Sequence, residues 1–283
     1  MIRKLGALLA LSMAFVASHL TVAQAQPHPW QMTLAQPADD RMSEIIWFHD
    51  ILLYVIFAVC IFVLGLLIWV AIRFNAKANP VPSSNTHNTL LEVLWTVLPV
   101  LILAAIAIPS FRILYHQETI PPADLTIKAI GKQWYWTYEY PDQGNLTFDA
   151  NMTVDRLSAP NTPGGPPRLM GTNNHVVVPV NKTVRLITTG ADVIHAWTIP
   201  NFGVKIDAVP GRLNQAWFRP NREGTFYGQC SELCGARHAF MPIVVDVVSQ
   251  ERFDQWLAEA KTKFGAVDVP GATKFAAATV EKE

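Results

Sequence analysis

The string Cys230-Ser231-Glu232-Leu233-Cys234-Gly235-Ala236-Arg237-His238-Ala239-Phe240-Met241 gathers two thiols, an imidazole and a thioether within the length of one loop. In outline it reads C-x3-C-x3-H-x2-M. Thiolate, imidazole and thioether together favour copper over zinc or the hard cations. One blue-copper ion takes two histidines, one cysteine and a weak methionine. Two cysteines oversupply such a site. Two thiolates can bridge two coppers, each of which then needs one imidazole and one weak axial ligand. The second imidazole must come from elsewhere, and His195 is the best-placed candidate, between the β-type stretches 183–189 and 196–199. Three simpler readings compete. A disulfide between Cys230 and Cys234 suits an exported domain but leaves His238 and Met241 unexplained. Zinc on two cysteines and two histidines is chemically sound but has no use for Met241. A mononuclear copper site leaves one thiolate over.

Ligands on a loop are useful only if the flanking elements hold them. The string follows a β-type stretch at 225–229 and leads into another at 243–248. Further stretches of this kind lie at 125–130, 134–140, 175–180 and 215–218, with turn residues between them. Many short strands at this spacing predict a β-sandwich or barrel. A Pro/Gly-rich loop spans 160–167. Residues 249–261 predict a closing helix with Phe253, Trp256, Leu257 and Ala260 on one face. The tail, residues 263–283, is expected to be disordered.

Upstream the chain changes character. Of the 283 residues 51% are hydrophobic and only 16% charged, a pairing that points to membrane segments. No charge occurs from 51 to 72 or from 93 to 111. The first run spans a bilayer easily, and proline in the second (Pro99, Pro109) is tolerated there. The predicted helices cover 45–74 and 90–114, with Trp47, Trp69 and Trp95 near their ends, where aromatic belts form. The connection between the two runs holds Arg73 and Lys77 and, over the link at 75–89, no acid, so the link is expected in the cytoplasm. Arg3, Lys4, an apolar core and Ala23-Gln24-Ala25 read as an export signal over 1–25; the alternative is a retained first membrane helix. Residues 26–44 read as a loose exported lead-in, and 115–262 as the exported domain. A formal net charge of zero gives no reason to expect nucleic acid as a partner.

With these elements in place the chain resembles subunit II of haem–copper cytochrome c oxidase, of the bacterial kind. The resemblance covers nearly all of the sequence after the signal. It is carried by Gly228-Gln229-Cys230-Ser231-Glu232-Leu233-Cys234-Gly235, by 238–241, and by Gln133-Trp134-Tyr135-Trp136. Pro210-Gly211-Arg212-Leu213-Asn214-Gln215 and Trp95-Thr96-Val97-Leu98-Pro99 carry it further. It implies an α+β membrane protein: a two-helix transmembrane hairpin, then a cupredoxin-like Greek-key β-barrel and a closing C-terminal helix. It implies a dinuclear copper centre, CuA, bridged by Cys230 and Cys234. One copper would take His195 and Met241, and the other His238 and the backbone carbonyl of Glu232. The Glu232 side chain would bind a magnesium ion shared with subunit I. Trp134 would receive electrons from cytochrome c, and Glu139, Asp149 and Asp192 would face that donor. Residues 115–260 hold 14 acids and 12 bases, so local placement and not net charge would have to make the docking field. Glu92 matches a carboxylate at the mouth of a proton path. It also completes the capping-box pattern Thr89-Leu90-Leu91-Glu92.

Neither apolar run contains a histidine, and the chain has no C-x-x-C-H motif, so oxygen chemistry is expected in a partner chain. The expected role is electron acceptance from cytochrome c in the inner membrane of a bacterium, with the barrel in the periplasm. The copper domain of nitrous oxide reductase, a membrane-tethered copper-delivery protein and a zinc-stapled structural sandwich are the alternatives. Cys60 is expected to serve packing, and His28, His49, His87, His116 and His175 to be structural or exposed.

Overall fold

A computed structural model describes residues 31–153 and 166–265. The expected export signal and most of the Pro/Gly-rich loop and the tail lie outside the described residues. The chain divides into two units, one of residues 41–119 and one holding the β domain with the residues up to Asp40.

The first unit is built on α1 (Asp40–Arg73) and α2 (Thr89–Glu118). α1 begins before its predicted stretch but ends one residue short of it, and α2 runs past its stretch at both ends, because polar residues there can still complete helical turns. Their apolar side chains face outward all round; Phe62 and Leu103 are each 65% exposed. A helix that is apolar on every face and unburied by protein needs lipid as its solvent. Cys60, expected to pack, is exposed on α1 for the same reason. Asn75 ends α1: its amide donates to Ala71 O and Ile72 O, and its oxygen accepts from the N–H groups of Lys77 and Ala78. The start of α2 corrects the expected capping box. Asn88 is the cap, its side chain accepting from Leu91 N–H at 3.2 Å, while Thr89 is already helical. Glu92 therefore falls one position too late to close the box, and its carboxylate is left to favour the positive end of the helix. Near the other end of α2, His116 Nδ1 meets Glu44 Oε2 of α1 at 2.9 Å, which ties the hairpin antiparallel.

Among the described residues the second unit contains ten strands: β1 (Leu125–Lys132), β2 (Tyr135–Tyr140), β3 (Leu146–Ala150), β4 (Val176–Pro179) and β5 (Val184–Gly190), then β6 (His195–Ile199), β7 (Val204–Ala208), β8 (Asn214–Phe218), β9 (Gly224–Gln229) and β10 (Pro242–Val248). They form sheets of order β3-β2-β1-β5-β8, β4-β10-β9 and β6-β7. The pairs β1/β5 and β4/β10 are parallel, which no hairpin can produce, so the chain crosses between sheets as the expected Greek-key barrel requires. Strands β3 and β7 were not foreseen. Their short alternations, Leu146-Thr147-Phe148-Asp149-Ala150 and Val204-Lys205-Ile206-Asp207-Ala208, carry too few apolar residues to stand out.

Inward residues of the sheets make one core. Phe202 stacks on Phe218 and meets Phe226 at a tilt, its ring centroid 4.9 Å from each. Tyr140 joins the sheets with its hydroxyl, which accepts from Val177 N–H and donates to Val177 O. The closing helix α3 (Gln250–Phe264) is capped by Ser249 and packs on β3 and β4 through the predicted face, Phe253 and Ala260 being buried. It runs past the predicted tail start at 263. The lead-in is not loose where it is described. Ala38 exchanges backbone bonds with Asn201 and Asn221, and Asp39 accepts from Arg219 N–H at 2.6 Å. Burial of Ala38 and these bonds hold it as part of the barrel.

Candidate metal centre

Two elements bring the predicted ligands together. His195 opens β6, and Cys230 to Met241 occupy the loop from β9 to β10. Strand β9 passes so close to β6 that a Cβ on Gly228 would sit 1.8 Å from Thr198 O. Only glycine allows that approach. The loop is then sewn in place: Ser231 N–H donates to Ala196 O at 3.0 Å and Cys230 N–H to Met241 O at 3.2 Å. His195 is fully buried, and Cys230, Cys234 and Met241 are nearly so.

The donor atoms converge. Cys230 Sγ and Cys234 Sγ are 3.9 Å apart, nearly twice the ~2.05 Å of a disulfide. His195 Nδ1 lies 3.8 Å from Cys230 Sγ, and His238 Nδ1 lies 3.6 Å from Cys234 Sγ. Met241 Sδ stands 3.5 Å from Cys234 Sγ, and Glu232 O stands 3.3 Å from Cys230 Sγ. One ligand atom from each of His195, Cys230 and Cys234 fits within 4.8 Å. The six donors comprise a sulfur pair with one imidazole and one weak donor beside each sulfur. That set exceeds the four a single tetrahedral ion uses, and it fits two metals bridged by the thiolates.

Electrostatics prepare the thiols unequally. Burial opposes ionisation of Cys230, but hydrogen bonding from His195 and from the backbone at Glu232 and Ala196 outweighs it and lowers the thiol to about 7. Burial and the neighbouring Cys230 charge push Cys234 up to about 12. Cys234 therefore gives up its proton less readily than Cys230, and metal binding must displace it. Burial lowers the basicity of His195, yet its bonds to Cys230 and Asp192 raise it overall.

The other predicted residues fall into place differently. The indole of Trp134 donates to Cys234 O at 3.3 Å and so touches the ligand loop. The side chain of Glu232 is exposed while its carbonyl turns to Cys230. The three expected docking acids are all engaged. Glu139 pairs across the strands with Lys128 at 2.9 Å, and Asp149 accepts from Thr137 Oγ1 at 2.6 Å. Asp192, itself exposed, bonds back to the site: it accepts from Val193 N–H, Gln133 N–H and His195 Nε2. These bonds lower its pKa although burial acts the other way. The reading from sequence missed that bond to His195 and the Gln133 amide donating to Cys234 O. The D-x-x-H spacing of Asp192 and His195 was the available clue.

Family models agree with this geometry. Residues 125–248 match "Cytochrome C oxidase subunit II, periplasmic domain" and residues 27–113 match "Cytochrome C oxidase subunit II, transmembrane domain". The chain belongs to the cytochrome c oxidase subunit II family. A probable cytochrome c oxidase subunit 2 of Rickettsia conorii is 50% identical over 255 residues, which cover 90% of this chain and 80% of the relative. The cytochrome c oxidase subunit 2 of Cereibacter sphaeroides is 46% identical, covering 83% and 82%. The crystal structure of the periplasmic domain of subunit II of the Bradyrhizobium japonicum oxidase is 56% identical, with a TM-score of 0.48, and covers 52% of this chain and all of that one. Membership makes this chain a membrane-bound subunit of the oxidase complex, and its β domain is of the kind that carries CuA.

Proposed function

We propose that this subunit accepts electrons from cytochrome c at a dinuclear copper centre and passes them to the haem centres of subunit I, where oxygen is reduced to water and protons are pumped. The observation that carries this reading is the paired donor set: two thiolates 3.9 Å apart, each with an imidazole nitrogen within 4 Å and a weak donor beside it. Cys230 and Cys234 would hold both coppers, with His195, Met241, His238 and Glu232 O completing the set. Such a pair would supply one-electron transfer with little bond rearrangement, because the change of charge would be spread over both metals and both sulfurs.

The protein's part is to hold these donors still and dry. Core burial excludes water from Cys230, Cys234, His195 and Met241, and the backbone bonds of Ser231 and Cys230 fix the loop. A fixed ligand set suits electron transfer, whereas copper delivery needs an exchangeable one. Burial of Met241, a donor zinc does not use, supports copper over a zinc staple. Trp134 receives the electron, its indole N–H bonded to the carbonyl of the ligand Cys234. Glu232 directs its exposed carboxylate to a magnesium ion shared with subunit I. Glu139 and Asp149 contribute to docking of cytochrome c. Glu92, free of the cap role, serves the mouth of a proton path. The link after Arg73 faces the cytoplasm and the copper domain the periplasm of the bacterial inner membrane.

The test is transient oxidation of reduced cytochrome c by the assembled oxidase carrying Trp134→Ala. Electron transfer to copper is expected to slow at least a hundredfold, with copper content and steady-state binding of cytochrome c kept. An unchanged rate would contradict the path through Trp134.

A further inference from the structure

We infer that Asp192 and Gln133 form a positioning bracket that locks the His195 ring to the carbonyl of Cys234 and thereby sets the redox equilibrium of the copper centre. The inference rests on the reading of His195 and the two cysteines as copper ligands.

The bracket is a continuous run of hydrogen bonds through three separate parts of the chain. Asp192 Oδ1 accepts from His195 Nε2 at 2.9 Å and from Val193 N–H at 2.7 Å. Its Oδ2 accepts from the backbone N–H of Gln133, in the turn between β1 and β2, at 2.7 Å. The side chain of the same Gln133 donates to Cys234 O at 2.9 Å. Thus the β1–β2 turn that carries Trp134 is bonded to His195 on one side and to the ligand loop on the other.

This arrangement does two things to His195. It places the proton on Nε2, so that the lone pair of Nδ1 faces Cys230 Sγ. It also leaves the ring no freedom to turn. A Cβ on Gly131 would lie 2.6 Å from His195 Cδ2, so the backbone of β1 packs closely against the side chain. The buried Trp136 meets the ring edge-on at 5.9 Å between centroids. A carboxylate accepting from the outer nitrogen makes the imidazole a stronger donor. Stronger donation favours the oxidised centre.

Replacing Asp192 with asparagine keeps the shape but puts an NH2 where one carboxylate oxygen accepts. Either Gln133 N–H or the pair Val193 N–H and His195 then faces a donor. In the oxidase assembled with Asp192→Asn, the redox equilibrium of copper is expected to move about tenfold toward reduction, ~59 mV upward for one electron. Copper content should be unchanged. Asp149→Asn removes the same charge from another exposed acid and should leave the potential in place. A potential in Asp192→Asn no different from that of Asp149→Asn would leave Asp192 a docking acid alone and overturn the bracket. Should Asp192→Asn not assemble, Gln133→Ala reads the bracket from its other side. It is expected to change the copper hyperfine pattern, and an unaltered pattern would overturn the inference. A wild-type oxidase with no dinuclear copper spectrum would overturn the copper reading itself and the bracket with it.

Discussion

Among the described residues the barrel holds two histidine–aspartate pairs of nearly equal length, and they do different work. His195 Nε2 meets Asp192 at 2.9 Å and His175 Nδ1 meets Asp246 at 2.7 Å. The His195 side chain is fully buried, and its other nitrogen faces a cysteine sulfur. His175 is 36% exposed and lies in a cleft with Trp256 and Lys263 of α3. The same interaction is a means of aiming a ligand in one place and a staple between β10 and the start of β4 in the other. What separates them is the second nitrogen of each ring and what stands beside it.

The contrast can be broken most severely at the ligand side. Cys234→Ser removes one bridging sulfur but almost no packing volume. The expected outcome is loss of nearly all bound copper with near-ultraviolet circular dichroism unchanged; retained copper at wild-type levels would deny Cys234 a ligand role. On the α3 side the converse is expected. Phe253 is buried under α3, and Phe253→Ala should cost about 3–5 kcal/mol in denaturant unfolding, with metal content intact in the folded fraction. A copper loss as large as that of Cys234→Ser would show the two regions to be one cooperative unit.

Smaller changes sharpen the comparison. Asp246 is half-buried, which raises its pKa, but bonds from His175 and Thr225 outweigh that and hold it low. A carboxylate whose folded pKa lies below its unfolded value stabilises above the unfolded value and loses that contribution as pH falls through the folded one. Asp246→Asn should therefore cost about 1–2 kcal/mol at neutral pH. The gap to wild type should close below about pH 4, the unfolded carboxylate range. Urea titrations at several pH values check this, and a gap independent of pH would refute it. The least effect is expected from Glu139→Gln. Its pair with Lys128 is partly exposed, so stability should change by less than about 1 kcal/mol, with a measurable shift only in the salt dependence of cytochrome c oxidation.

Much of this molecule could be read from residue order, and the reasons differ by region. The loop ligands were legible because all four side chains lie within one short string whose donor chemistry is specific. The apolar runs of α1 and α2 were legible because lipid demands length and composition alone. Strands β3 and β7 were not, since each is five residues long and owes its place to pairing with a neighbour. The cap of α2 was misplaced by one residue because Asn88 and Thr89 are both good caps, and only the backbone angles of Asn88 decide between them. The bonds of Asp192 were not legible, because its partners, Gln133 and His195, meet it only after the β1–β2 turn folds against the start of β6.

The central claim is that the site holds two coppers bridged by Cys230 and Cys234. Metal analysis of the purified oxidase subunit, joined to electron paramagnetic resonance of its oxidised copper, tests it most directly. The account predicts two coppers per copy of this chain and one unpaired electron coupled equally to both nuclei. One copper per chain, a spectrum of a single isolated copper, or zinc alone would contradict it.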